Sequence, residues 1–150
     1  MTGSDAAADA FQRYLAALEG LTPATLPALS QMLAEDVRFT DPFHDVQGRA
    51  AMCRVLGQMF DDLQQVRFVV TASAIREQVG FMSWTLAATA RRFGARSLVL
   101  RGASEIRLGS DGLVVVHIDY WDAAHQLYER LPLLAPVLRT LRRRIARTTD

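Results

Sequence analysis

The sequence predicts an α+β fold: three N-terminal helices packed on a strongly curved antiparallel sheet, in a cone shape, with an extra C-terminal helix. Three observations carry this. Apolar residues recur at helical spacing as far as Phe60, and the period then changes to two from Val66 to Trp121. The period-two segments are joined by short connections, so they form a meander rather than crossovers. After Trp121 leucines return at helical spacing. Helices first and strands later is the α+β order.

The first helix is expected from Ser4 or Asp5 to Leu18, with Phe11, Tyr14, Leu15 and Leu18 on one stripe and Gly20 as the stop. Thr22-Pro23 or Thr25 can cap a second helix carrying Leu26, Leu29, Met32 and Leu33. Val37 to Thr40 reads as a short strand, broken by Asp41-Pro42. A third helix begins after Gly48, with Met52, Val55, Leu56, Met59 and Phe60 on its apolar face. Four strands follow: Val66 to Arg76, Val79 to Arg91, Ser97 to Leu108 and Leu113 to Trp121. Gly109-Ser110-Asp111-Gly112 has the residues of a hairpin turn. Such a sheet, twisted and covered by helices on one side, curls. Leu127, Leu131, Leu134, Leu138, Leu141 and Ile145 then repeat helically around Pro132 and Pro136, and the chain ends in Arg139, Arg142, Arg143, Arg144 and Arg147.

With 150 residues the chain is read as one domain, 1–150, with 125–150 a helical extension. Half of the residues are hydrophobic and the formal net charge is +1, an ordinary globular balance. Cys53 is the only cysteine, so no intramolecular disulfide forms, and the cytoplasm is the expected compartment. No secretory leader is visible and no apolar run reaches the ~20 residues of a membrane span. Lysine is absent, which closes the Schiff-base route to covalent catalysis. His44, His117 and His125 are scattered, so no metal site is expected. Neither a phosphate loop nor a nucleophile elbow is present.

The strand-turn-helix block Val37-Arg38-Phe39-Thr40-Asp41-Pro42-Phe43, followed by Gly48-Arg49 and later by Asp119-Tyr120-Trp121, resembles the nuclear transport factor 2-like superfamily. Within it the likeness is to the ketosteroid isomerase and SnoaL-like branches, over about Ala8 to Asp122. That fold hosts isomerases, cyclases, hydrolases and non-catalytic binders, so chemistry must come from the site. The isomerase likeness implies that Tyr14 donates to a substrate oxygen and that Asp41 shuttles the proton. The isomerases' second, protonated acid falls here on Ser104, a departure from that pattern. Limonene-type epoxide hydrolases share an acid at Asp119, but their Arg-x-Asp pair is replaced by Thr85-Leu86-Ala87-Ala88, which argues against epoxide hydrolysis. SnoaL-like cyclases need one aspartate as acid/base at an acidic carbon, which Asp119 or Asp41 could supply.

Each candidate has a plainer role beside the catalytic one. Ser104 shares a strand face with Leu98, Leu100, Ile106 and Leu108, and is either a cavity donor or a core serine bonded to backbone. On the last strand, pattern alone buries Val114, Val116, Ile118 and Tyr120 and exposes His117 and Asp119. The resemblance implies the reverse: His117, Asp119 and Trp121 line the cavity, His117 orients or relays a proton, and the other face meets a second subunit. Asp41 is either a proton carrier, desolvated and raised in pKa, or a turn cap. Tyr14 is either a donor or a core tyrosine with its hydroxyl at a rim. His44-Asp45 is read as a solvated loop.

The expectation is therefore a cofactor-independent protein that binds a small, mostly apolar molecule with a polar tip. Asp41 and Asp119 are the acid/base candidates, Tyr14 and Ser104 the donors, and Phe39, Phe43, Phe60 and Trp121 the apolar walls. The chemistry would be isomerase- or cyclase-like proton transfer next to a carbonyl, the alternative being a non-catalytic ligand-binding or accessory module with a vestigial pocket. A homodimer is expected and a nucleic-acid partner is not, since no aromatics interleave the arginines. A membrane surface for the arginine-rich helix ranks behind a docked helix with a solvated cationic face.

Overall fold

A computed structural model describes residues 3–91, 95–128 and 134–146. The chain divides into two compact units, one ending at Tyr120 and one beginning at Trp121. The first unit opens with α1 (Gly3–Glu19) and α2 (Leu26–Ser30), followed by β1 (Leu33–Thr40) and β2 (Asp45–Gln47). It continues through α3 (Arg49–Asp62), β3 (Leu63–Arg76), β4 (Val79–Ala90), β5 (Arg96–Leu108) and β6 (Val114–Trp121), whose last residue belongs to the second unit. The second unit also contains α4 (Ala123–Gln126) and α5 (Ala135–Ala146).

The strands form one open, curved sheet in the order β2-β1-β6-β5-β4-β3. Pairing is antiparallel except between β1 and β6, which run parallel with Phe39 opposite His117 and Thr40 opposite Ile118. The long β3–β4 ladder slips register twice, between Gln64 and Arg67 and between Val70 and Ala72. Each slip adds a residue on one strand, which bends the ladder and raises its twist.

Phe11, Tyr14, Leu15 and Leu18, the predicted stripe of α1, are all buried. Burying a large apolar side chain of this kind contributes about 1.5–3 kcal/mol, which anchors α1 on the sheet. Gly80 makes the approach possible: a Cβ there would collide with the Phe11 ring. Inward residues of β4 and β5 alternate as expected, with Met82, Trp84, Leu86, Leu98, Leu100 and Ile106 all buried.

Three expectations need correction. Helix α2 stops at Ser30, and Leu33 already lies in β1, because that short apolar run satisfies helical and strand patterns alike. His44-Asp45 is solvated as expected but only His44 lies in the loop, where it bonds Asp41, while the exposed Asp45 opens β2 and pairs with Arg38 at 3.0 and 2.7 Å. The C-terminal repeat is not one helix: α4 spans four residues and α5 starts at Ala135, while Leu131, Pro132 and Arg147 lie outside the described residues. The connection at residues 92–94 lies outside them as well.

Candidate functional site

The Asp41-Pro42-Phe43 and Gly48-Arg49 pieces act first as architecture. Asp41 Oδ1 accepts from the backbone N–H groups of Phe43 and His44, both at 2.7 Å, which closes the β1–β2 turn. The His44 Nδ1 lies 2.9 Å from the same oxygen. Gly48 takes φ +102°, a conformation glycine adopts without strain, and its N–H donates to the Val37 carbonyl at 2.8 Å. Arg49 Nε donates to the Leu33 carbonyl at 2.9 Å, tying α3 to β1. Asp41 follows the Thr40–Ile118 pair and so stands level with Asp119 along the sheet, but no hydrogen bond joins it to Tyr14, Ser104, His117 or Asp119.

Those four residues form one continuous network. The Tyr14 hydroxyl lies 2.8 Å from His117 Nδ1, and His117 Nε2 lies 2.8 Å from Asp119 Oδ1. The Ser104 hydroxyl donates to the same Asp119 oxygen at 2.5 Å. Trp84 Nε1–H donates to Ser104 Oγ at 2.8 Å. Trp84 was not among the residues singled out from the sequence. Its signal was available in retrospect: it pairs directly with Gly102, two residues from Ser104 on β5. Gly102 leaves room for the indole, since a Cβ there would sit 2.5 Å from Trp84 Cζ2 and 2.7 Å from the Tyr120 carbonyl oxygen.

Matching donors to acceptors assigns the protons. An ionised Asp119 accepts only, so Ser104 O–H and His117 Nε2–H both point to it. The bare Nδ1 of a neutral His117 then accepts from Tyr14, and Ser104 Oγ accepts from Trp84. In this arrangement no buried side-chain polar atom among the described residues lacks a partner. The Asp119 Oδ2 atom accepts no hydrogen bond from a described residue.

Exposure separates the members. Tyr14, Trp84, Ser104 and His117 are buried, whereas the Asp119 side chain is 22% exposed. The carboxylate is therefore the outward end of a buried relay. Burial, then the negative charge of Asp119 and the nearby Cys53, hold the Tyr14 phenol well above its usual pKa. Tyr14 stays a protonated donor. Its hydroxyl is turned inward to His117 and not to a rim.

His117 is buried, although strand alternation alone would expose it. A polar side chain survives there because both ring nitrogens are satisfied. Phe39 lies edge-on against its ring, centroids 5.4 Å apart. The other wall candidates are placed less tightly: Phe43 is 47% exposed against the His44 edge, and Phe60 is half-buried on α3. Trp121 is half-buried and belongs to the second unit. No group of three or more metal-ligating side chains occurs among the described residues.

Residues 11–117 match the family of the SnoaL-like domain. Among solved structures, a provisionally assigned SnoaL-like polyketide cyclase from Jannaschia sp. CCS1 superposes with a TM-score of 0.72 at 11% identity, covering 83% of this chain and 91% of its own. An NTF2-like protein of unknown function from Burkholderia pseudomallei gives 0.69 at 19% identity, with 83% and 95% covered. A provisionally assigned polyketide cyclase from Xanthomonas campestris pv. campestris gives 0.64 at 20% identity, with 83% and 96% covered. These likenesses concern the fold. No curated protein matches the chain in sequence.

Proposed function

Because this chain belongs to the SnoaL-like domain family, we propose that it binds a small, mostly apolar molecule and moves a proton next to a carbonyl, with Asp119 as acid/base. The observation that carries this is the asymmetry of the carboxylate: Oδ1 is held by Ser104 and His117, while Oδ2 accepts no bond from a described residue on a partly exposed side chain. A base needs one lone pair free and a fixed orientation, and this arrangement supplies both. His117 is the orienting residue, and Tyr14 fixes its tautomer. Ser104 holds the carboxylate in place of donating to substrate. Asp41 is a second acid/base candidate level with Asp119, with its Oδ1 already engaged by the turn. No cofactor takes part in this scheme. The polyketide cyclase assignments of structural neighbours fit chemistry at an acidic carbon.

The second reading is a binding module without turnover. It is favoured by the same network, whose donors satisfy one another and leave none free for a substrate oxygen. Proton exchange separates the two. Small cyclic ketones, enones and phenols would be incubated with the protein in deuterium oxide and followed by NMR. Enzyme-dependent exchange next to the carbonyl, lost in Asp119→Asn and kept in Asp41→Asn, supports Asp119. Binding by thermal shift with no exchange of any ligand would favour the binding module.

We also propose a homodimer through the outer sheet face. Val69, Phe81, Val99 and Tyr120 lie on that face and are 37%, 51%, 40% and 53% exposed. Exposed apolar side chains on one sheet face are the kind of surface that a second copy would cover.

A further inference from the structure

Helix α5 is polar on one side and apolar on the other. Leu134, Val137, Leu141 and Ile145, spaced three, four and four residues apart, are 46%, 65%, 55% and 67% exposed. At 100° per residue they share one stripe roughly 16 Å long. Arg142 and Arg144 flank the stripe on its two sides, and Arg139 and Arg143 lie behind it. No acidic residue occurs between Ala135 and Ala146. Arg142 is also anchored within the same unit, 2.7 Å from His125 Nδ1.

We propose that α5 lies flat on an anionic lipid surface, its aliphatic stripe among the acyl chains and its flanking arginines among the headgroup phosphates. Charge chooses this occupant over a second copy of the helix. Two such helices meeting along their stripes would bring arginines of like sign together with no carboxylate from α5 between them. An anionic bilayer meets both faces at once: it takes up the aliphatic side chains and pairs with the guanidinium groups. The sequence offered a docked helix with a solvated cationic face as the first alternative. The run of arginines with no acidic residue in α5 is what favours an anionic surface. No helix among the described residues is long and apolar enough to cross a membrane, so the attachment is to one face of the bilayer.

The test is co-sedimentation of the full chain with vesicles of phosphatidylcholine alone, or of phosphatidylcholine mixed equally with phosphatidylglycerol, at low and high salt. The expected result is binding to the mixed vesicles, little to the neutral ones, and weakening as salt rises. Leu141→Glu should abolish it, and Arg144→Glu, at the flank of the stripe, should weaken it roughly tenfold or more, with both variants keeping the far-UV dichroism of the parent. Absence of binding to mixed vesicles would overturn the proposal. So would undiminished binding by Leu141→Glu. If Leu141→Glu instead halves the mass of the protein in solution, a second copy covers the stripe and the lipid assignment falls.

Discussion

Replacing Ser104 by alanine tests whether the relay is a coupled unit. Ser104 is fully buried and bonded on both sides, to Asp119 as donor and to Trp84 as acceptor. The lost bond to an ionised carboxylate is worth about 1.5–3 kcal/mol, and the stranded indole N–H adds about 1–3 kcal/mol. Asp119 is 22% exposed, so water can replace part of the first term. A net loss of about 3 kcal/mol follows for the single variant. Trp84→Phe has no indole N–H to strand, so in that background Ser104→Ala should cost about 1–2 kcal/mol less. The packing loss of Trp84→Phe enters both arms of the cycle and cancels. The assay is urea unfolding of all four proteins, followed by far-UV dichroism so that removal of a tryptophan does not change the probe. A coupling energy under about 0.5 kcal/mol, the additivity expected of independent sites, would refute the relay and leave Ser104 as a passive core residue.

Three further outcomes are expected. Burial raises the folded pKa of Tyr14, so its contribution to stability is whole below about pH 10 and disappears as pH rises through the folded value; the parent should lose stability in that alkaline window more steeply than Tyr14→Phe, and equal slopes in urea titrations would contradict the burial argument. Gly102→Ala should cost about 1–3 kcal/mol by overpacking and shift tryptophan emission, because the new methyl meets both Trp84 and the Tyr120 carbonyl; unchanged emission and stability would show that the indole does not depend on that gap. Ile118→Glu on the outer face of β6 should halve the mass measured by light scattering, and an unchanged mass would remove this face as the interface.

Local pattern made much of this molecule legible. The alternation of β4 and β5 follows hydropathy, and the Gly109–Gly112 turn follows from its residues, with Gly112 N–H donating to the Gly109 carbonyl at 3.0 Å. The parallel pairing of β1 with β6 had no local trace, since parallel partners lie far apart in sequence and no turn announces them. The burial of His117 was hidden from local pattern for the same reason, although the family resemblance turned it inward. Its compensating partner, Tyr14, is 103 residues away. Asp41 was legible as a special position, and its special feature is a turn with three bonds to one oxygen. Trp84 escaped notice because an indole on an apolar strand face already has a sufficient reason to be there, and only the gap at Gly102 reveals where its N–H is aimed.

If Asp119 receives a ligand as proposed, the relay would also act as a charge filter. With His117 in its neutral form, both groups that bond Asp119 are uncharged, and no arginine lies within ion-pairing distance of it among the described residues. Its negative charge is thus oriented but not cancelled. A ligand anion brought to about 4 Å would meet a repulsion of about 4 kcal/mol at the effective dielectric of a protein surface, enough to reject fatty acids and other carboxylates of suitable shape. Neutral carbonyl compounds would escape that repulsion, and small organic cations would be drawn in.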